Sequence, residues 1–517
     1  MALDIKNGEL LSSWKEIAAF LRCSVRSCIR WEKRGGLPIH RSSDAQGSRV
    51  YAYKKELEDW LKTQANGFKA APESVPRRKR WRLSPWLLAI IPAVLLVIFF
   101  FLKPSQGGRP FRMSKYDIVT AEPDGQGRLR VWGNKDARTY RPIWEITSSK
   151  TNTVHHATLA VGDIDGDQRS EVVVPTYAKA TFTRGEKQAV YFKIFLNFYK
   201  QGTSGLWKTT FFSDGDCVWE DGNYWMNEVI LANLDGDPAA EVILKTATQV
   251  AIYDYSPKNG EFRMMSSRAS FGKNSDVRLK AVAAIRAQGK GSPRIVVSGD
   301  EFQEKGNTRA QKCGWLFFLE VQDWALPLSK AIEIDAFMTP KALVVGDVVS
   351  GGPEEIYSTV YRLDGATYRA YLLGWTADGD KFIDMPLPDS ESEDPVFAPL
   401  GIGDFAFDAG DDILVAVKPG KLDFYSWREN ALIHRGSFEV GPPGAVVNSI
   451  NIGDSDGDRH QEIVLGGANL ANGPQSGRFY LEVLGYSDSK NEFTSLWKRV
   501  GGDKGETEVW SAKIGRK

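Results

Sequence analysis

The chain has 517 residues, 42% hydrophobic and 25% charged, an ordinary globular composition that excludes collagen-like or wholly disordered classes and is too long for one core. Four cysteines exclude a disulfide scaffold. The net charge of +1 hides an asymmetry: residues 1–82 hold 18 Lys/Arg against 9 Asp/Glu, the remainder 48 against 56, so a basic head and an acidic body are expected to meet different partners.

In the head, Ser13 and Glu16 form a capping-box signature. Trp14, Ile17, Ala18 and Leu21 follow at helical spacing on one apolar face. Arg22–Cys23 make a short turn, and Ser24 caps a second helix that buries Val25, Cys28 and Ile29. Gly35–Gly36 stop it. "IHRSSDAQGSRVYAY" reads as a hairpin and "KKELEDWLKT" as a last helix burying Leu57, Trp60 and Leu61. This order is that of a winged helix-turn-helix, and residues 11–61 resemble the MerR/excisionase-type winged helix. A domain over residues 1–64 binding double-stranded DNA is the expectation. Arg26, Ser27, Arg30, Lys33 and Arg34 lie on the outer side of the second helix, where arginines donate in pairs to guanine edges or hold phosphates. Arg41 and Arg49 of the wing are expected on backbone phosphate.

Residues 65–82 read as a basic linker ending in "RRKRWR". "LSPWLLAIIPAVLLVIFFFL", residues 83–102, has no charge over a length matching the bilayer core. A single transmembrane helix is the expectation, with the basic flank placing the N-terminus in the cytoplasm and the rest outside an inner or plasma membrane.

The body, residues 109–517, repeats. "VGDIDGDQRSEVVV" (161–174) recurs as "LANLDGDPAAEVIL" and "IGDSDGDRHQEIVL". Weaker copies are "VGDVVSGGPEEIYS", keeping Asp347 and Glu355, "IGDFAFDAGDDILV", keeping Asp404, Asp408 and Asp412, and a copy from Ala284 without carboxylates. The motifs start at 163, 233, 284, 347, 404 and 454, about 58 residues apart, a spacing suited to a four-stranded blade. Short Val/Ile-rich runs flank each loop, and "VAIYDYS" or "KLDFYSW" begins the outer strands. "RLRVWGN" and "YRPIWEI" read as outer strands whose inner strand is "ETEVWSAKIG" near the C-terminus. Six motifs and this closure give an all-β propeller of seven blades, with six or eight as alternatives.

In D-x-D-G-D-x-x-x-E, positions 1, 3, 5 and 9 offer carboxylates, position 7 a carbonyl, and the glycine a sharp turn. Hard oxygens in a flexible loop suit Ca²⁺; tight acidic turns without metal are the alternative. The body resembles the FG-GAP/VCBS repeat propellers, integrin α-chain heads among them. That resemblance implies Ca²⁺ at Asp163, Asp165, Asp167, Arg169 and Glu171; at Asn233, Asp235, Asp237, Ala239 and Glu241; and at Asp454, Asp456, Asp458, His460 and Glu462. Arg169, Ala239 and His460 contribute only carbonyls. No catalytic constellation stands out among five histidines, so no enzyme is expected. Trp219, Tyr224 and Trp225 pack between blades or form an aromatic platform for sugar or peptide.

The expected protein is a membrane-anchored transcriptional regulator, similar in architecture to ToxR-like regulators. Its propeller senses an extracytoplasmic protein or glycan, and a homodimer is open. The rival is a cell-surface adhesion or scaffold propeller with the head as tether. DNA binding by residues 1–64 separates them.

Overall fold

A computed structural model describes residues 10–67, with breaks at 12, 22–27, 29–31, 33–36 and 45–46, and residues 113–514, with breaks in loops of which 201–208, 214–227, 335–341 and 471–478 are the longer. The chain divides into two compact units, Met1–Phe101 and Leu102–Lys517.

The described part of the first unit is a three-stranded sheet with two helices. Gly47–Tyr53 lies between Leu10–Leu11 and His40–Asp44. The helices are Trp14–Phe20 and Lys54–Gly67. The first is capped as its sequence requires: the Glu16 amide donates to Ser13 Oγ at 3.3 Å, and that hydroxyl donates to Glu16 Oε1 at 3.0 Å. Leu11, Ile17, Ala18, Cys28, Leu37, Ala52 and Leu57 form its core.

The DNA-binding and membrane expectations are corrected here. Of the expected second helix only Cys28 and Glu32 are described, both helical, with Cys28 buried in the core. Arg26, Ser27, Arg30, Lys33 and Arg34 lie outside the described residues, and Arg41 and Arg49 are placed only as strand backbone. The two described helices hold 7 and 14 residues, and none among the described residues is long and apolar enough to cross a membrane. Residues 65–67 close the second helix, and residues 83–102 lie outside the described residues. The MerR-like head, the transmembrane helix, the inner- or plasma-membrane topology and the transcriptional role are therefore not carried forward.

The second unit is a seven-bladed β-propeller. Blades 1 to 6 span residues 160–213, 228–268, 276–334, 344–386, 400–439 and 445–500, each built on four antiparallel strands in sequence order. The first blade has an additional short strand, Thr153–Val154. Blade 7 is made from both ends of the unit. Ser511–Ile514 pairs with Ile118–Glu122, followed by Arg128–Asn134 and Tyr140–Thr147. The expected closure is therefore present, with one strand, Ile118–Glu122, that the sequence reading had not assigned.

The first strands of successive blades touch one another around the ring, and Ser511–Ile514 meets Ala160–Gly162 to complete it. These strands are therefore innermost. Apolar clusters fill the seams. Val161, Val172 and Val174 of blade 1 pack on Val119, Leu129 and Val131 of blade 7. Val464 and Leu481 of blade 6 pack on Ile118, Trp132 and Ile514 on the other side. The glycine that ends several inner strands answers to this packing. A Cβ on Gly346 would lie 2.3 Å from Ile402 Cγ2 of the next blade, closer than any real contact.

Candidate metal centre

The acidic motifs occupy the loop from the innermost to the second strand of their blades, so all lie on one rim. The three full copies belong to blades 1, 2 and 6, with blade 7 between 6 and 1. The turn forms because its fourth residue is glycine: Gly166, Gly236 and Gly457 have φ of 75°, 88° and 90°, a region open chiefly to glycine.

Each loop folds its carboxylates inward through hydrogen bonds to its own backbone. In the first, Asp163 Oδ1 accepts from the Gly166 and Asp167 amides at 2.8 and 3.1 Å, and its Oδ2 from Gln168 at 2.8 Å. In the second, Asn233 Oδ1 accepts from Gly236 at 2.7 Å, and the Asn233 amide group donates to the Asp237 carbonyl. In the third, Asp454 Oδ1 accepts from Gly457 at 2.5 Å. The amide at position 7 donates to the position-5 carboxylate in all three: Arg169 to Asp167 at 3.0 Å, Ala239 to Asp237 at 2.8 Å, His460 to Asp458 at 2.8 Å.

The result is convergence. One oxygen from each of Asp163, Asp165, Asp167 and Glu171 lies within 4.8 Å of the others, as do those of Asp235, Asp237 and Glu241, and of Asp454, Asp456 and Glu462. These groups can hold a metal ion. Asp458 is outside the converging set of its loop.

The closing glutamate does a second job that sequence reasoning missed. Its Oε2 accepts the backbone amide of position 2: Ile164 to Glu171 at 3.1 Å, Leu234 to Glu241 at 2.6 Å, Ser455 to Glu462 at 2.6 Å. In the charge-poor fourth blade, Val348 and Val349 donate to Glu355 Oε2 at 3.0 and 3.3 Å in the same way. Repetition of this glutamate where the aspartates were lost was the available signal. In blade 5, Asp412 stands at this position and accepts from Ser426 Oγ at 2.5 Å, while Asp408 lies outside the described residues.

Glu171 is fully buried, and its second oxygen, Oε1, has no hydrogen-bond partner among the described residues. Burial, opposed by the Ile164 amide and reinforced by Asp167 and Asp163, raises its carboxyl to about 8. Burial likewise raises Glu241 and Glu462 to about 7. A buried carboxylate with an unused oxygen aimed among other carboxylates is what a hard cation would satisfy.

Two neighbours of these loops were also missed. Lys200 donates to Asp165 Oδ2 and lies 3.6 Å from Asp167 Oδ2. Asp254 sits near Asp237 and Asp235; burial first, then those two charges, hold its carboxyl above the usual range. Trp219, Tyr224, Trp225 and Cys217 lie outside the described residues.

No known family model matches the chain, and no curated protein matches it by sequence. The family-level resemblances to MerR/excisionase and FG-GAP/VCBS proteins are therefore corrected to the coarser statement, the seven-bladed propeller. Many solved structures align with the chain. A crystal structure of a Lactobacillus plantarum protein aligns with a TM-score of 0.46 at 9% identity, covering 77% of this chain and 98% of its own. Sqt1 of Saccharomyces cerevisiae aligns with a TM-score of 0.40 at 10% identity, covering 68% and 76%. A functionally unknown protein from Desulfotomaculum acetoxidans aligns with a TM-score of 0.38 at 12% identity, covering 76% and 98%.

Proposed function

We propose that the propeller is a calcium-stiffened scaffold, the rival reading given above, whose cation-loaded loops fix one rim. The observation that supports this most is the threefold recurrence of converging carboxylates closed by a buried glutamate. The donors are oxygens throughout, without histidine or thiolate side chains, which favours a hard cation over zinc or copper. Asp163, Asp165, Asp167 and Glu171 would hold one ion with the Arg169 carbonyl. Asn233, Asp235, Asp237 and Glu241 would hold a second with the Ala239 carbonyl, and Asp454, Asp456 and Glu462 a third with the His460 carbonyl, Asp458 standing outside that converging set. The ion would supply positive charge where like charges now crowd. The reading is of a binding module rather than an enzyme, because the acidic side chains of the rim are accounted for by cation and backbone.

Thermal melting of the full chain tests it. Calcium bound only by the folded state raises stability by about 2.7 kcal/mol at a hundredfold excess over Kd. The chain should melt higher in calcium than in chelator. Asp165→Ala, Asp235→Ala and Asp456→Ala should each remove part of that difference, and Asp347→Ala far less. Identical curves with and without chelator reject the calcium assignment.

A further inference from the structure

We infer that one register position beside each acidic loop sets how tightly that loop holds its cation, Lys200 making the first loop a weak site and Asp254 strengthening the second. The inference rests on the calcium reading above. Strand pairing identifies the position. The tenth residue of each motif, Val172, Val242 or Ile463, pairs with Tyr199, Tyr253 or Leu484 on the third strand of its blade. The next residue of the chain is Lys200 in blade 1, just past the strand's end, and Asp254 in blade 2 and Gly485 in blade 6, both still on the strand. The same backbone position thus presents a positive, a negative and no charge to three similar loops.

In blade 1 the consequence is direct. The Lys200 ammonium pairs with Asp165, whose side chain is only 1% exposed, and faces Asp167 as well. Both carboxylates belong to the converging set. A divalent cation entering there must displace the ammonium or bind against its repulsion. That the loop is more than an acidic cluster follows from Glu171, fully buried with Oε1 unpartnered among the described residues, a group the lysine contacts do not reach. In blade 2 the first position is Asn233 rather than aspartate, and Asp254 restores the missing charge from the neighbouring strand. Asp254 is not one of the converging ligands; it acts through the field it adds.

Calorimetric titration of the full chain with calcium tests this, with two loops disabled so that one is read at a time. With Asp235→Ala and Asp456→Ala in place, adding Lys200→Met should tighten the remaining first site about tenfold or more, a change of at least one unit in log Kd. Lys200→Arg keeps the charge and should leave affinity within about threefold of the parent on the same scale. With Asp165→Ala and Asp456→Ala in place, Asp254→Asn should weaken the second site. Should the first loop bind nothing until Lys200→Met is introduced, the inference holds in its strongest form. Unchanged or weaker binding on Lys200→Met overturns it while leaving the calcium reading intact. If the unmutated chain takes up no calcium, and Lys200→Met brings none, both fall.

Discussion

Glu171 divides its two oxygens between tasks. Oε2 of Glu171 clamps the loop through the Ile164 amide, and Oε1 is left for whatever fills the loop. Burial raises the closing glutamates from an ordinary 4.5 to about 8 for Glu171 and about 7 for Glu241 and Glu462. The sign follows. A carboxyl with a raised folded-state pKa binds its proton more tightly folded than unfolded, so the metal-free chain loses stability as pH rises from about 4.5 to 8. On the proposed reading calcium needs the carboxylate, so its binding near neutral pH should release protons and tighten as pH rises through that window. Titrations at about pH 6.5 in two buffers of different protonation enthalpy should differ in heat, and at about pH 9 should agree. Equal heats in both buffers at the lower pH would show that these glutamates are already ionised. The convergence of acids was legible in the sequence, because the spacing brings position 3 and the closing glutamate together in all three loops. The clamp was not, since a glutamate reads the same whether one oxygen or both face a cation. Lys200 and Asp254 were equally hidden: each lies on or just past another strand, and only register puts them beside the loop.

At the scale of elements, the strands were the most legible part. Val250–Ser256 and Lys421–Arg428 lie where their alternating apolar runs put them. Ile118–Glu122 was missed, being a short run at the edge of a region without the acidic motif, and its partner lies at the far end of the chain. The apolar run at 83–102 and the basic helix pattern of the head show the opposite failure. Local pattern named a membrane helix and a recognition helix, but neither has a placed site among the described residues, and a function needs one. Blade 7 is tied to the third acidic loop by polar contacts that no sequence pattern announces. Asn134 Nδ2 donates to the Ser455 carbonyl at 3.0 Å, and the buried Tyr140 hydroxyl lies 3.0 Å from the same carbonyl and 2.8 Å from Ser455 Oγ. Ser455 Oγ in turn donates to Glu462 at 2.9 Å. Tyr140→Phe removes the hydroxyl and leaves buried acceptors short of a donor, a cost of about 1–3 kcal/mol. It should also reduce any stabilisation that calcium gives through the third loop on the proposed reading, because Ser455 Oγ and its amide both bond Glu462 there. Melting of Tyr140→Phe in calcium and in chelator reads both effects. A loss of the same size in both conditions would show that the tie is structural only.

The whole ring depends on a strand that arrives last. Ser511–Ile514 is the innermost strand of blade 7 and pairs with Ile118–Glu122 across nearly the full length of the unit. It also closes two seams, contacting the first strands of blades 6 and 1. Val509, Ala512 and Ile514 are buried against Val464, Leu481 and Trp132. Removing residues 508–517 would uncover the edge of Ile118–Glu122 and leave the inner wall open at one blade. Loss of one valine, one alanine and one isoleucine from the core costs on the order of 4 kcal/mol by transfer alone, a large share of the few kcal/mol that usually separate folded from unfolded states. The exposed strand edge adds a template for association with other chains. The truncated chain should therefore melt at markedly lower temperature, and size-exclusion chromatography should show oligomers absent from the full chain. On the proposed reading calcium should recover only part of the loss, since a cation that stiffens loops cannot replace a strand. A truncated chain that stays monomeric and melts with the same midpoint and cooperativity would show that closure through the C-terminal strand contributes little, and that the six complete blades carry the fold.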